Sequence, residues 1–281
     1  WGRPTDLSSS IKNLFIYNNV IGPDITKISG ASSGAIVMDT SDFNNVKIHH
    51  NIILTNADDY LGSSGPIVIA TRNDGNTYQI DSEIYDNTAI LTDDGNALSL
   101  NQNSVGHVVY DNIFYNSKYY LGSNRVGVEI YTLDYNLLWP SKNWMVSYKN
   151  VSYYWTTHGS VPIWGSDTAT QNFDKHTVVA DPQFVDINNP AGPDGIFFTD
   201  DDGLRPVQGS PACGAGRFGG DIGALPCLGS QPPQQCDLTS ASWNVTTATE
   251  GELVKLNVQG NNCNNKIINY TIYKDIWWWF F

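Results

Sequence analysis

Charge, sulfur and long apolar runs are all scarce in this chain of 281 residues. Charged residues make up only 15 %, against roughly 25 % in an ordinary soluble domain. Lys and Arg together number 15 and Asp and Glu 28, for a net charge of −13. That balance argues against nucleic acid as a partner, because phosphate binding needs clustered basic side chains. No run approaches the roughly 18 apolar residues of a membrane-spanning helix, so no membrane span is expected. No basic-then-apolar signal segment opens the chain. The four cysteines all fall late, at Cys213, Cys227, Cys236 and Cys263, and no C-x-x-C pair occurs. Zinc and dithiol redox motifs are therefore unsupported. Also missing are sustained helical periodicity, a G-x-S-x-G elbow and a phosphate-cradling glycine loop. Disorder is excluded from the other side, since 41 % hydrophobic and 12 % aromatic residues can fill a large core.

Asparagine occupies the space that charge leaves, with 29 copies. Many sit in a repeat. The six-residue pattern apolar-x-x-Asn-x-apolar begins at Ile16, Ile48, Ile84, Val109 and Leu133, which puts its asparagines at Asn19, Asn51, Asn87, Asn112 and Asn136. A second pattern runs between the copies, as Ile36-Val37-Met38, Ile67-Val68-Ile69, Leu98-Ser99-Leu100 and Val128-Glu129-Ile130. Its first positions are 31, 31 and 30 residues apart, a period near 31. Apolar runs of three to five residues alternating with period two indicate strands. Short strands returning at such intervals suit coils stacked about 4.8 Å apart in parallel sheets. The repeated asparagine suits the corners, where it tolerates left-handed backbone and bonds the asparagine of the next coil. A β-sandwich is the competing all-β architecture, but it does not account for a fixed Asn.

These residues resemble the right-handed parallel β-helix proteins of the pectate-lyase-like superfamily, over about residues 10–226. The resemblance extends to Val179–Asp186, Asp202-Gly203-Leu204-Arg205-Pro206, Gly209-Ser210-Pro211-Ala212 and Gly220-Asp221-Ile222-Gly223-Ala224, which look like the closing segment of many exported β-helix proteins. The expected fold is all-β: a right-handed parallel β-helix solenoid over residues 1–228, a Pro/Gln linker at 229–235, and a partial C-terminal β-sandwich over 236–281. The last part looks like the start of an immunoglobulin-like module, with strands expected near 241–245, 250–258 and 267–273. Trp1 entering directly into turn-like sequence and the apolar Ile276–Phe281 read as fragment boundaries.

Pairing Cys213 with Cys227 and Cys236 with Cys263 would keep each disulfide within one module, as suits a secreted or cell-surface protein. Free buried thiols are the alternative. Asp194, Asp200, Asp201 and Asp202 gather around glycines, and hard oxygen ligands on a tight turn are what Ca²⁺ takes, here in a structural role. A solvated acidic turn explains the same residues. His49 and His50 sit beside the Asn51 corner and offer nothing firmer than a solvated pair.

Enzymes of the resembled superfamily act on polysaccharides in a groove along one sheet, so the resemblance implies an extracellular polysaccharide as partner and a monomeric protein. If Ile36, Ile67, Leu98 and Val128 point inward, Val37, Val68, Ser99 and Glu129 point outward, followed by Asp39, Ala70, Asn101 and Tyr131. Arg72 and Asn103 lie one step further. A lyase needs a base beside a uronate and a cation on its carboxylate, which singles out Arg72 and Tyr131 as catalytic, with Asp39, Asn101, Asn103 and Glu129 binding substrate. Hydrolysis needs two carboxylates about 5–9 Å apart. Asp39 and Glu129, three coils apart, are too distant for it. Exposed aromatics at Tyr119, Tyr120, Trp139, Trp144, Tyr153, Tyr154, Trp155 and Trp164 either stack on sugars or cover the core; covering the core is the expectation for most. The alternative function is a non-catalytic adhesin or surface component with the solenoid as spacer.

Overall fold

The structure, a computed structural model, describes residues 11–22, 34–39, 43–55, 65–70, 78–91, 96–100, 104–117, 119–122, 128–140, 145–149, 151–155, 162–230, 237–247, 249 and 254–261. The chain divides into two compact units, residues 1–230 and 231–281. In the first, three parallel sheets are built by strands that return in rotation. Sheet A holds β1 (Ile11–Tyr17), β4 (Phe43–His49), β7 (Tyr78–Tyr85), β10 (Ser104–Tyr110) and β13 (Glu129–Asp134), paired in that order. Sheet B holds β2 (Val20–Ile21), β5 (Ile52–Thr55), β8 (Thr88–Leu91), β11 (Ile113–Tyr115), β14 (Leu137–Trp139) and β17 (Val178–Val179). Sheet C holds β3 (Gly34–Asp39), β6 (Gly65–Ala70), β9 (Asn96–Leu100), β12 (Tyr119–Gly122), β15 (Met145–Tyr148) and β16 (Val151–Tyr154). Every pairing is parallel except β15 with β16. Apart from β16, each strand thus pairs with strands three places away along the chain, an arrangement compatible with a solenoid of three-strand layers.

The apolar alternation works as expected on the inner side. Ile16, Ile48, Ile84, Val109 and Leu133 from sheet A meet Ile53, Ala89, Phe114 and Leu138 from sheet B and Ile36, Ile67, Leu98, Leu121 and Val146 from sheet C in one core. Tyr120, Tyr153 and Trp164 are buried in it too, so these aromatics cover the core. Burying each such side chain stabilises by roughly 1.5–3 kcal/mol. One inward row turns polar after Val46. His107 takes the place of Val46 and Ser82 in its row and is fully buried, held by Ser82 Oγ at 2.8 Å and Ser104 Oγ at 2.9 Å.

The asparagines form the expected ladder at the corner between sheets A and B. The Nδ2 of Asn19, Asn51, Asn87 and Asn112 each donates to the Oδ1 of the next asparagine, at 3.0, 2.9, 2.9 and 3.0 Å. Each Nδ2 also donates to the backbone carbonyl two residues before it. Asn136 ends the ladder on the Tyr120 hydroxyl, which itself donates to the half-buried Asp174. The left-handed turn residue is not the ladder asparagine but its predecessor: Asn18, His50, Asp86, Asp111 and Tyr135 have φ of 54°, 53°, 51°, 55° and 57°. A ladder asparagine must keep ordinary backbone so that its side chain reaches both its own strand and the next layer.

The period near 31 holds for Ile36, Ile67 and Leu98 in sheet C and is not a rule. Successive ladder asparagines are 32, 36, 25 and 24 residues apart. Strand stacking fixes the layers, whereas the connections between them vary freely in length. This is why Val128-Glu129-Ile130 was misplaced by spacing. The partner of Leu98 in sheet C is Leu121, and β13 belongs to sheet A.

Residues 204–227 cover the outer face of sheet B. Ile113 and Leu137 pack against Ala212, Ile222 and Cys227, and Ile52 against Leu204, Ala224 and Leu225. The backbone N–H of Gly223 donates to Asp111 O and that of Ala224 to Thr88 Oγ1, both at 2.9 Å. Cys213 and Cys227 form a disulfide within this segment, as expected; Cys236 and Cys263 lie outside the described residues. In the second unit, β18 (Asp237–Trp243) and β19 (Leu256–Asn261) pair antiparallel, and β18 is exposed throughout. The strand expected near 267–273 lies outside the described residues.

Candidate functional site

The face along sheet C that spacing singled out does not form as expected. Val37 is exposed, but Val68 and Ser99 are completely buried. The run Gly65–Ala70 is apolar at nearly every position, the composition of a parallel strand buried on both faces. Asp39 ends β3 opposite Ala70. Glu129 and Tyr131 lie instead in β13 of sheet A, so they do not share a sheet with Asp39. Glu129 is exposed, and Tyr131, 60 % exposed, sits at an irregularity where β10 and β13 lose register. Arg72, Asn101 and Asn103 lie outside the described residues.

The acidic turn does not gather into a cage. Among the described residues the one cluster of three metal-type ligands is Cys213, Asp221 and Cys227, whose thiols are already joined. Asp194 Oδ1 takes the Ile196 N–H, Asp201 Oδ1 the Thr199 hydroxyl and Asp200 Oδ1 the Arg205 guanidinium. Asp202 is buried, with Oδ2 on the Thr199 N–H and Oδ1 without a partner. Burial raises the Asp202 carboxyl above its ordinary range, while Arg205 opposes the rise. Three of the four carboxylates thus do the work of turn-closing acceptors, which does not fit a chelating set.

The richest array of functional side chains stands on the outer face of sheet A. Since Ile16, Ile48, Ile84 and Val109 point in, their neighbours point out, and pairing brings them into rows. One row is Phe15, Lys47, Glu83, Val108 and Thr132; the next is Tyr17, His49, Tyr85, Tyr110 and Asp134. In the second row the rings stack in sequence. Tyr17 lies 5.1 Å from His49, His49 4.8 Å from Tyr85, and Tyr85 5.2 Å from Tyr110, with planes within 8° of parallel. These centroid distances match the layer spacing. The guanidinium of Arg217, from the closing segment, covers the last ring at 4.9 Å from the Tyr110 centroid.

The charged groups around this stack are engaged. Lys47 pairs with Glu83 at 3.3 Å. His49 Nδ1 lies 2.9 Å from His50 Nδ1, and His50 Nε2 lies 3.7 Å from Asp86. Asp111 takes the Arg217 N–H at 2.7 Å, and Asp134 pairs with His176 at 2.7 Å beneath the Tyr135 ring. Burial lowers His49 to about 4, with His50 and Lys47 adding to the effect, and burial also lowers His50. Burial raises Tyr85 to about 12, helped by Glu83 and Asp86, and raises Tyr110 further. Asp111 is raised to about 6, again by burial. At neutral pH His49 and His50 are therefore uncharged and Tyr85 and Tyr110 protonated. Such a surface stacks and hydrogen-bonds; a phenolate base is not provided by these tyrosines. The Ser82–His107–Ser104 group is a nucleophile-like combination in name alone, because burial in the core keeps any substrate from it.

Spacing arguments missed this face, although its signal is in the sequence. Each ladder asparagine is preceded by the two residues that build it: Tyr17-Asn18, His49-His50, Tyr85-Asp86, Tyr110-Asp111 and Asp134-Tyr135. Set against known proteins, the chain matches no family model, no curated protein and no solved structure.

Proposed function

We propose that this chain is an exported or cell-surface protein of the right-handed parallel β-helix, pectate-lyase-like type, followed by the start of an immunoglobulin-like module, and that it binds an extracellular polysaccharide along the outer face of sheet A. The observation that carries this reading is the row of stacked rings at Tyr17, His49, Tyr85 and Tyr110, flanked by exposed Phe15 and by hydrogen-bonding side chains on every layer. Saccharides are recognised by that combination, an apolar aromatic body with polar groups at its rim. Binding without cleavage fits best, since the carboxylates of Glu83, Asp111 and Asp134 already have partners. β-Elimination would fall to Tyr131 with Arg72, as the resemblance implies.

The test is affinity electrophoresis of the chain through gels containing neutral and acidic polysaccharides, with product formation followed by the ultraviolet absorbance of unsaturated uronates. Retardation by at least one polysaccharide without new absorbance is expected. Absorbance that Tyr131→Phe abolishes would replace binding by lyase chemistry. Free migration through every gel would favour the spacer, a surface protein whose solenoid carries no ligand.

A further inference from the structure

Two imidazoles face each other at the corner after β4, and the stacked row uses only one of them. Neighbouring residues of a strand point to opposite faces. The left-handed backbone at His50, with φ of 53°, breaks that alternation and leaves its ring beside that of His49. The two Nδ1 atoms stand 2.9 Å apart, with the ring planes at 85° to each other. Both rings are held in place. His49 lies between the rings of Tyr17 and Tyr85, and Asn51 secures the backbone by donating to His49 O at 3.0 Å and to Asn87 Oδ1 at 2.9 Å. His50 turns its Nε2 toward the Asp86 carboxylate, 3.7 Å away. Both are also reachable from solvent, since His49 is half-buried and the His50 side chain 44 % exposed. Of the five residue pairs that precede the ladder asparagines, this one alone consists of two imidazoles.

We propose that His49 and His50 together bind a divalent late transition metal, Cu²⁺ first, through their two Nδ1 atoms, with Asp86 orienting His50 from outside the coordination shell and water filling the remaining positions. A ligating imidazole characteristically donates its other ring N–H to a carboxylate, which is the relation of His50 to Asp86. With its proton on Nε2, His50 keeps the Nδ1 lone pair for a metal. In the metal-free protein that lone pair accepts from His49 Nδ1–H. Metal binding moves this proton to His49 Nε2, so none is lost overall. Distance selects the ion. At a metal–nitrogen distance of about 2.0 Å, two ligands at a right angle stand about 2.8 Å apart, and two at the tetrahedral angle about 3.3 Å. The observed 2.9 Å matches the right angle of tetragonal Cu²⁺ or Ni²⁺ better than the tetrahedron of Zn²⁺. Cu²⁺ also heads the affinity order for nitrogen ligands. A chain of net charge −13 attracts cations in general, and the facing nitrogens give one of them an address. The site does not depend on the polysaccharide reading.

The experiment titrates the full, metal-free chain with Cu²⁺, Ni²⁺ and Zn²⁺ chlorides, and records the electron paramagnetic resonance of the copper form. It is repeated with His49→Phe, which keeps a ring in the stack, with His50→Gln, and with Asp86→Asn. One Cu²⁺ per chain is expected, with an axial spectrum split by two imidazole nitrogens. Neither histidine variant should give that two-nitrogen spectrum, and Asp86→Asn should bind copper about tenfold more weakly while keeping it. In the unmutated chain, copper should broaden the ring proton resonances of His49 and His50 before those of His176, a readout that no misfolded variant can imitate. Copper bound with the same spectrum and affinity in both histidine variants would place it elsewhere and overturn the site. Tighter binding of Zn²⁺ than of Cu²⁺ would overturn the metal class. No binding by the unmutated chain would mean that the facing nitrogens make a hydrogen bond and nothing more. None of these outcomes bears on polysaccharide binding, which the gels decide separately.

Discussion

Asn87 donates through Nδ2 to Asn112 Oδ1 at 2.9 Å, while its own Oδ1 takes both the side-chain Nδ2 and the backbone N–H of Asn51, at 2.9 and 3.1 Å. The same Nδ2 also serves the carbonyls of Ile48 and Tyr85. One fully buried amide thus ties three layers together. Truncating it leaves donors and acceptors on both neighbouring layers unpaired, each costing about 1–3 kcal/mol. Asn87→Ala should therefore destabilise the first unit by about 3–5 kcal/mol in urea unfolding. Asn19→Ala, at the exposed end of the ladder, should cost less than about 1 kcal/mol. Equal losses at the two positions would mean that the ladder does not act as a buried network.

The ladder was readable because its chemistry fixes one residue type at one place in every layer. All five asparagines fall where the six-residue pattern put them. The candidate face was not readable in the same way. Placing Glu129 on the same face as Asp39, three layers on, assumed equal layer lengths, and the shorter connections after Asn87 shifted β13 into sheet A. Val68 and Ser99 followed the period-two rule for direction, but direction does not say whether an outer face is covered. The cover over sheet B comes from residues 204–227, far along the chain, and no local pattern in Ile52, Ile113 or Leu137 announces it.

His107 makes stability fall with acid. Burial holds it near 4 in the folded chain, against an ordinary value of 6.5, and the backbone at Ser104 opposes this only in part. The folded state therefore binds the proton less readily than the unfolded state. Its contribution is fully present above pH 6.5 and is lost as pH falls from there to about 4, a change of about 3 kcal/mol. His107→Gln, which keeps a donor and an acceptor between Ser82 and Ser104 but does not titrate, should flatten that part of the profile. Urea unfolding at intervals between pH 7 and pH 4 measures it, and an unchanged profile would contradict a neutral buried imidazole.

Asp174 has the opposite sign. Its carboxyl accepts from the Tyr120 and Thr177 hydroxyls and the Trp164 indole, yet burial raises it from 3.8 to about 7. The folded state here holds the proton more readily, so stability present below pH 3.8 is lost as pH rises through about 7, with a ceiling of about 4 kcal/mol. Asp174→Asn should remove that downward slope between pH 4 and pH 7 and leave the His107 slope exposed. The double variant with His107→Gln should show little pH dependence from either source. If Asp174→Asn leaves the profile between pH 4 and pH 7 unchanged, the three donors stabilise the carboxylate enough to cancel the burial penalty.

Gly223 tests how tightly the closing segment is held to sheet B. Its φ is +106°, and a Cβ there would sit 2.6 Å from Ile113 Cδ1 and 2.9 Å from Thr88 Oγ1. Gly219, four residues earlier, has φ of +76° and nothing within 4 Å of the same position. An alanine at either site bears the left-handed backbone cost of about 1 kcal/mol. At Gly223 it must also displace Ile113, which is fully buried, or lift the segment and break the bonds from Gly223 N to Asp111 O and from Ala224 N to Thr88 Oγ1. Overpacking of that kind adds about 1–3 kcal/mol. Gly223→Ala should accordingly unfold at clearly lower urea concentration than Gly219→Ala, and hydrogen exchange at Ile222 and Ala224 should quicken in the first variant alone. Matching midpoints for the two variants would mean that Ile113 and Thr88 yield freely, and that residues 204–227 lie on sheet B without being keyed into it.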